Sequence, residues 1–136
     1  MTDHVTHDKR SQIMASVGTE NTGPELTVRS ALHRLGFRFR LHRKDLPGSP
    51  DLVFPKLGKV VFVNGCFWHG HRCRYGRLPK SRVEYWRRKI ETNKERDRRV
   101  KGELRKLGWK AIVVWQCQLR RDPKKAIATL AEALMS

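Results

Sequence analysis

The stretch GCFWHGHRC, residues 65 to 73, gathers two cysteines, two histidines and a Phe-Trp pair. Thiolates and imidazoles are the donors that tetrahedral zinc takes. Cys66, His71 and Cys73 lie within eight residues, and Cys117 follows a later apolar run that can lie beside them, which completes a Cys3His set. Taken singly, Cys117 reads as a small buried hydrophobe and the histidines as solvated loop residues. The grouping favours a structural metal centre, closed by protein ligands, that holds the fold and leaves chemistry to other residues. His69 sits between Trp68 and Gly70 in the same loop. Spacing alone also allows it as the ligand in place of His71. Left free, it is a candidate general base, because a neutral imidazole is well matched to taking a proton near pH 7. Its companion is Asp51, which follows Pro50 at the head of a strand expected beside the one ending at Asn64. A carboxylate there, with a backbone carbonyl and phosphate oxygens, suits magnesium, although an Asp after a turn is equally a cap or turn residue. Phe67 and Trp68 either bury beside the metal or project as wedges between base pairs.

These residues must be positioned by elements whose pattern is legible. Residues 1 to 22 are polar, with only Ile13, Met14 and Val17 as a small apolar face, and read as an arm. Thr22-Gly23-Pro24-Glu25 marks a helix start, and Leu26, Val28, Ala31, Leu32 and Leu35 give an apolar stripe up to Gly36. Phe37, Phe39 and Leu41 then alternate with Arg38, Arg40 and His42, the period of a strand with one basic, solvent-facing side. LPGSP is a turn, Leu52 to Phe54 a strand, PKLGK a reversal, and Val60 to Val63 a strand covered on both faces. Over 81 to 107, Val83, Trp86, Ile90, Val100, Leu104 and Leu107 form a helical stripe, interrupted by Asn93 and Asp97. Periodicity alone puts Trp86 in that core stripe. Trp109 to Trp115 is a further strand, with Cys117 just past its end, and PKKAIATLAEALM a last helix. The expected order is helix, three strands, helix, strand, helix, an α/β arrangement in one domain over 23 to 136.

Thirty Lys and Arg against 13 Asp and Glu leave a formal charge of +17. Self-repulsion opposes compaction at that charge, so a polyanionic partner is expected. Nucleic acid suits it better than a membrane, since the basic residues are spread along the chain and no apolar run approaches the ~18 residues of a bilayer span. The runs KSRVEYWRRK and KERDRRVK are then phosphate-tracking faces as readily as solvated helix surfaces. The opening residues lack a signal-peptide pattern, and a thiol-reducing cytoplasm is the expected compartment, nucleoid-associated through DNA.

PGSPDLVF, VVFVNGCFWHGHRC, TNKERDRR and LGWKAIVVWQCQL, in this order, resemble the very-short-patch mismatch repair endonuclease family, Vsr, over about residues 8 to 120. The resemblance implies the αβββαβ core of type II restriction endonucleases, with a mixed central sheet and a structural zinc site. It implies nicking of duplex DNA on one strand, 5′ of the thymine in a T·G mismatch left by deamination of 5-methylcytosine. By motif position, Asp51 binds magnesium with the carbonyl of Val63, His69 acts as general base, and Glu25 holds water at the magnesium. Cys66, His71, Cys73 and Cys117 bind zinc, which leaves His69 free. Phe67, Trp68 and Trp86 enter the duplex from the major groove, against the core reading of Trp86, while the arm around Met14 closes over the minor groove. Asn93 and Asp97 are expected to hydrogen-bond the catalytic or zinc histidines and fix their tautomers. The best-known family pattern has histidine where this chain has Asn64, and a hydroxyl residue in place of Val63. Asparagine cannot act as an acid, but it can donate a neutral hydrogen bond to the scissile phosphate, so nicking is expected to survive with altered rate or pH dependence. The alternatives are a nuclease of broader mismatch or site specificity and a non-catalytic zinc-stabilised DNA-binding module. Double-stranded DNA with a T·G mismatch is the expected partner of a monomer, with mismatch-repair proteins as further partners.

Overall fold

The computed structural model describes residues 22 to 136, so the arm and Met14 lie outside the described residues. Helix α1 spans Gly23–Arg34. Its start is set locally, with the Thr22 hydroxyl accepting the Glu25 N–H at 3.3 Å and proline in the first turn. Gly36, at φ +98°, terminates it. Strands β1 (Arg40–Leu41), β2 (Leu52–Phe54) and β3 (Lys59–Asn64) follow. Helix α2 covers Val83–Lys106, β4 Lys110–Trp115, α3 Gln116–Arg121 and α4 Pro123–Met135. The sheet order is β1-β2-β3-β4, antiparallel across β1, β2 and β3, and parallel between β3 and β4. It is a four-stranded mixed sheet.

Pleating sends alternate side chains to opposite faces and so builds three layers. Leu52 and Phe54 of β2 and Val61 of β3 pack with Val28 and Leu32 of α1 and with Ile127, Leu130 and Leu134 of α4. Val53 and Val60 face the other way, against Leu104 of α2, with Val100, Phe62 and Trp109 around them. Each such fully buried side chain stabilises the fold by roughly 1.5–3 kcal/mol, which explains why short strands suffice.

Three local expectations need correction. Strand β1 is only Arg40–Leu41, because Phe37 and Phe39 are recruited as rings against Phe54, at 6.1 and 5.5 Å between centroids, and not into the ladder. Leu41 is exposed. His42 does not continue the solvent-facing basic row: its backbone turns to φ +47° and its imidazole is directed inward to Glu25. Cys117 lies within a short helix, α3, that no periodicity announced.

Lys59 is buried, and its ammonium donates to the carbonyls of Ala133, Leu134 and Ser136 at 3.0, 2.9 and 2.6 Å. Those carbonyls close the last turn of α4, where a cation satisfies orphan acceptors and meets the negative end of the helix.

Candidate active site and metal-ligand clusters

Asp51 stands at the head of β2 and is oriented by the sheet itself, since its Oδ2 accepts the Val63 N–H of β3 at 2.7 Å. In an antiparallel ladder a residue's N–H and C=O face the same neighbouring strand, so the Val63 carbonyl belongs to the edge that Asp51 occupies. Burial pushes the Asp51 carboxyl up to about 6; the Val63 N–H opposes this, and the neighbouring Glu25 charge adds to it. Glu25 is only 1% exposed. Its Oε2 meets the Arg29 guanidinium and, at 2.7 Å, the Nε2 of His42. One ligand atom from each of Glu25, His42 and Asp51 lies within 4.8 Å of the others, a spacing at which the three could hold a metal ion.

Asp51 borders a cleft of about 550 Å³ that is also lined by Val63, Asn64, Trp68, His69, Asn93 and Asp97. His69 reaches it from the loop after β3, and its Nδ1 lies 2.6 Å from Oδ2 of Asp97 on α2. A carboxylate accepts, so Nδ1–H donates, and Nε2 of the neutral ring carries the lone pair. Asn93, one turn earlier on α2, does not bond an imidazole: its Nδ2 donates to the Trp68 carbonyl at 3.0 Å. The interruption in the α2 stripe thus serves to seat this loop, once through its backbone and once through His69. Gly70 makes the seating close. Its φ is +62°, and a Cβ there would lie 2.6 Å from Ile90 Cγ2 and 2.7 Å from Lys94 Cδ.

Cys66, His71, Cys73 and Cys117 form a second cluster, with ligand atoms all within 4.8 Å of one another. Cys117 Sγ lies 3.4 Å from His71 Nδ1, close to the ~3.5 Å edge that Zn–S and Zn–N bonds of roughly 2.3 and 2.0 Å imply for a tetrahedron. The donor chemistry and spacing therefore fit zinc. Burial pushes the Cys66 thiol up to about 12, with the Cys117 N–H opposing the shift and the Cys73 and Cys117 side chains adding to it; a bound cation would favour the thiolate there. His71 stacks on Trp115 at 4.0 Å and 14°, and His69, not part of this cluster, stands 6.3 Å from the same ring.

Phe67, Trp68 and Trp86 form an edge-on triangle with centroid separations of 5.2, 5.3 and 5.8 Å, and all three are partly exposed. Trp86 is half-buried and packs within this triangle, whereas the fully buried members of the α2 stripe are Ile90 and Leu104.

Sequence reasoning did not single out His42, Lys89 or Arg96, of which the last two line the cleft. A period-two pattern assigned His42 to the solvent side, and among 30 Lys and Arg nothing in spacing marks the two that face the cleft.

Comparison with known proteins identifies the relatives of this chain. The family model described as "DNA mismatch endonuclease Vsr" matches residues 2 to 75. The chain is 57% identical over 119 residues to "Type II nicking enzyme V.XorIIP" of Xanthomonas oryzae pv. oryzae, covering 88% of each chain. It is 47% identical over 120 residues to "Type II nicking enzyme V.NmeAIP" of Neisseria meningitidis, covering 88% of this chain and 86% of that one. With "DNA mismatch endonuclease Vsr" of Escherichia coli the identity is 42% over 130 residues, 94% of this chain and 83% of the other. Among the described residues no helix is long and apolar enough to cross a membrane. A cleft shared by a half-buried carboxylate and a carboxylate-held imidazole, beside a Cys-His cluster, is carried on a sequence that belongs to the DNA mismatch endonuclease Vsr family.

Proposed function

We propose that this protein is a divalent-metal-dependent endonuclease that nicks duplex DNA on one strand, 5′ of the thymine in a T·G mismatch, and so initiates very-short-patch repair. The observation that carries the reading is that Asp51 and His69 border one cleft, with His69 held through Nδ1 by Asp97. Asp51 and the Val63 carbonyl would hold magnesium, with Glu25 behind them, and a carboxylate-carbonyl oxygen set fits that ion. Magnesium bound there would polarise the scissile phosphate. The Nε2 of His69 takes the proton from the attacking water, and Asp97 steadies the imidazolium that results. Asn64, buried at the end of β3, donates a neutral hydrogen bond towards the phosphate or leaving oxygen. Phe67, Trp68 and Trp86 wedge into the duplex. A T·G wobble stacks less well than a Watson–Crick pair, so unstacking there is cheaper by a fraction of the few kcal/mol that a step costs. The arm around Met14 closes the opposite groove. Cys66, His71, Cys73 and Cys117 would bind structural zinc, which braces the loop that carries His69 and two of the wedges. In this reading the αβββαβ core is that of type II restriction endonucleases.

The test is nicking of end-labelled T·G, other mismatched and matched duplexes with magnesium, by the wild type and Asp51→Ala. Wild type should cut only the thymine strand of T·G, and Asp51→Ala should bind but not cut. Binding without cleavage by the wild type would refute the proposal, and equal cutting at several mismatches would establish broader specificity.

A further inference from the structure

Glu25 and Asp51 come from different layers, one from the first turn of α1 and the other from the head of β2. Two ionised carboxylates that close repel each other, so groups that donate to them help to fix their relative orientation. Arg29 contacts Glu25 from one turn further along the same helix, so this contact orients Glu25 relative to α1. His42 belongs to neither element. Its backbone N–H donates to the Asp51 carbonyl at 3.3 Å, while its Nε2 meets Glu25 Oε2 at 2.7 Å, across 17 residues of sequence. One residue therefore ties the backbone of one acid to the side chain of the other. The tie requires φ +47° at a residue with a Cβ, a conformation that costs energy outside glycine and persists where the surroundings dictate it.

We propose that His42 is a positioning residue of the site, a side chain that holds the Glu25 carboxylate against Asp51 and thereby affects how tightly the pair takes a divalent cation. The inference rests on the functional reading above for the use of that cation in nicking. Glutamine reaches about as far as Nε2 of histidine and carries an N–H at the same end, so His42→Gln keeps the tie. His42→Ala removes it.

The test uses full-length zinc-loaded protein. Binding of Mn2+ to the DNA-free chain is measured by loss of the free-ion electron paramagnetic resonance signal, counting only the part abolished by Asp51→Asn. Single-turnover nicking is measured against magnesium concentration, and affinity for mismatched duplex without divalent metal. His42→Ala should weaken Mn2+ binding and slow nicking by roughly 10- to 100-fold, the usual effect of removing a residue that orients a metal ligand. The magnesium needed for half-maximal rate should rise, with duplex affinity unchanged. His42→Gln should recover most of both losses. Wild-type Mn2+ affinity in His42→Ala would overturn the proposal. So would His42→Gln being as impaired as His42→Ala, which would make the imidazole itself the ligand. If His42→Ala does not fold, His42→Leu takes its place, and loss of folding in both would make the role structural and overturn the proposal. A wild type that nicks no duplex sinks the functional reading alone, because the Mn2+ measurement still judges His42.

Discussion

A hydrogen bond that selects one tautomer is a small device with a large consequence for proton transfer. Asp97 accepts from His69 Nδ1–H at 2.6 Å, so replacing it by asparagine keeps the shape but offers an amide that can present either its N–H or its oxygen. Asp97→Asn should slow single-turnover nicking by roughly 10- to 100-fold while leaving duplex affinity intact; equal rates would show that the Asp97 carboxylate is not needed for His69 to take the proton. Asp51 makes the opposite trade between stability and activity. Its folded carboxyl lies near 6, above the usual carboxylate range. Between about pH 4 and 6 the native state therefore binds more protons than the unfolded one, stability falls as pH rises through that window, and the full cost is present above it. Asp51→Asn removes the cost. At pH 8 it should raise unfolding free energy by on the order of 2 kcal/mol, the gain vanishing near pH 4, while nicking is lost. Urea unfolding at the two pH values checks the sign. At this scale the residue types were readable in the sequence and their partners were not: Cys66, His71 and Cys73 are grouped in the chain itself, whereas the contacts of His42 depend on one unusual backbone angle.

The elements followed from periodicity wherever burial is one-sided. Helix α1 is announced by Thr22 and Pro24 and ended by Gly36, and α2 by its stripe of Val83, Ile90, Val100 and Leu104. Strand β1 was over-read because an alternation of phenylalanine and arginine satisfies aromatic packing on Phe54 as well as it satisfies a ladder. Helix α3 was missed because six residues are too few to show a period. Lys59 supplies a test at this scale, since its three carbonyl contacts fasten the end of α4 to β3. Lys59→Met keeps the stem and removes the donor, leaving the buried Leu134 carbonyl without it, while Ala133 keeps the Ser136 hydroxyl. It should cost about 1–3 kcal/mol in unfolding free energy, with hydrogen exchange rising first in the last turn of α4. A cost near zero would show that water takes over these carbonyls.

For the molecule as a whole, affinity and discrimination should separate. A net charge of +17 makes phosphate neutralisation the source of general affinity, so the logarithm of the association constant should fall linearly with the logarithm of salt concentration, with equal slopes for matched and T·G duplexes. Trp86→Ala should leave that slope unchanged and lower the T·G preference by the equivalent of roughly 1–3 kcal/mol, the worth of one base–aromatic stack. A change of slope would place Trp86 among the phosphate contacts instead. The sequence by itself determined the charge, the chief helices and strands, the four zinc-type donors and the family. These are properties of composition and of short-range periodicity, which the chain carries whatever its tertiary arrangement. Only the tertiary structure decided that Asp97 and not Asn93 holds His69, that the Trp86 ring packs edge-on against Phe67 and Trp68, and that His42 turns inward to link Glu25 and Asp51. Those pairings cross 9 to 28 residues of sequence, and over such spans sheet register and helix docking, not local propensity, select which side chains meet.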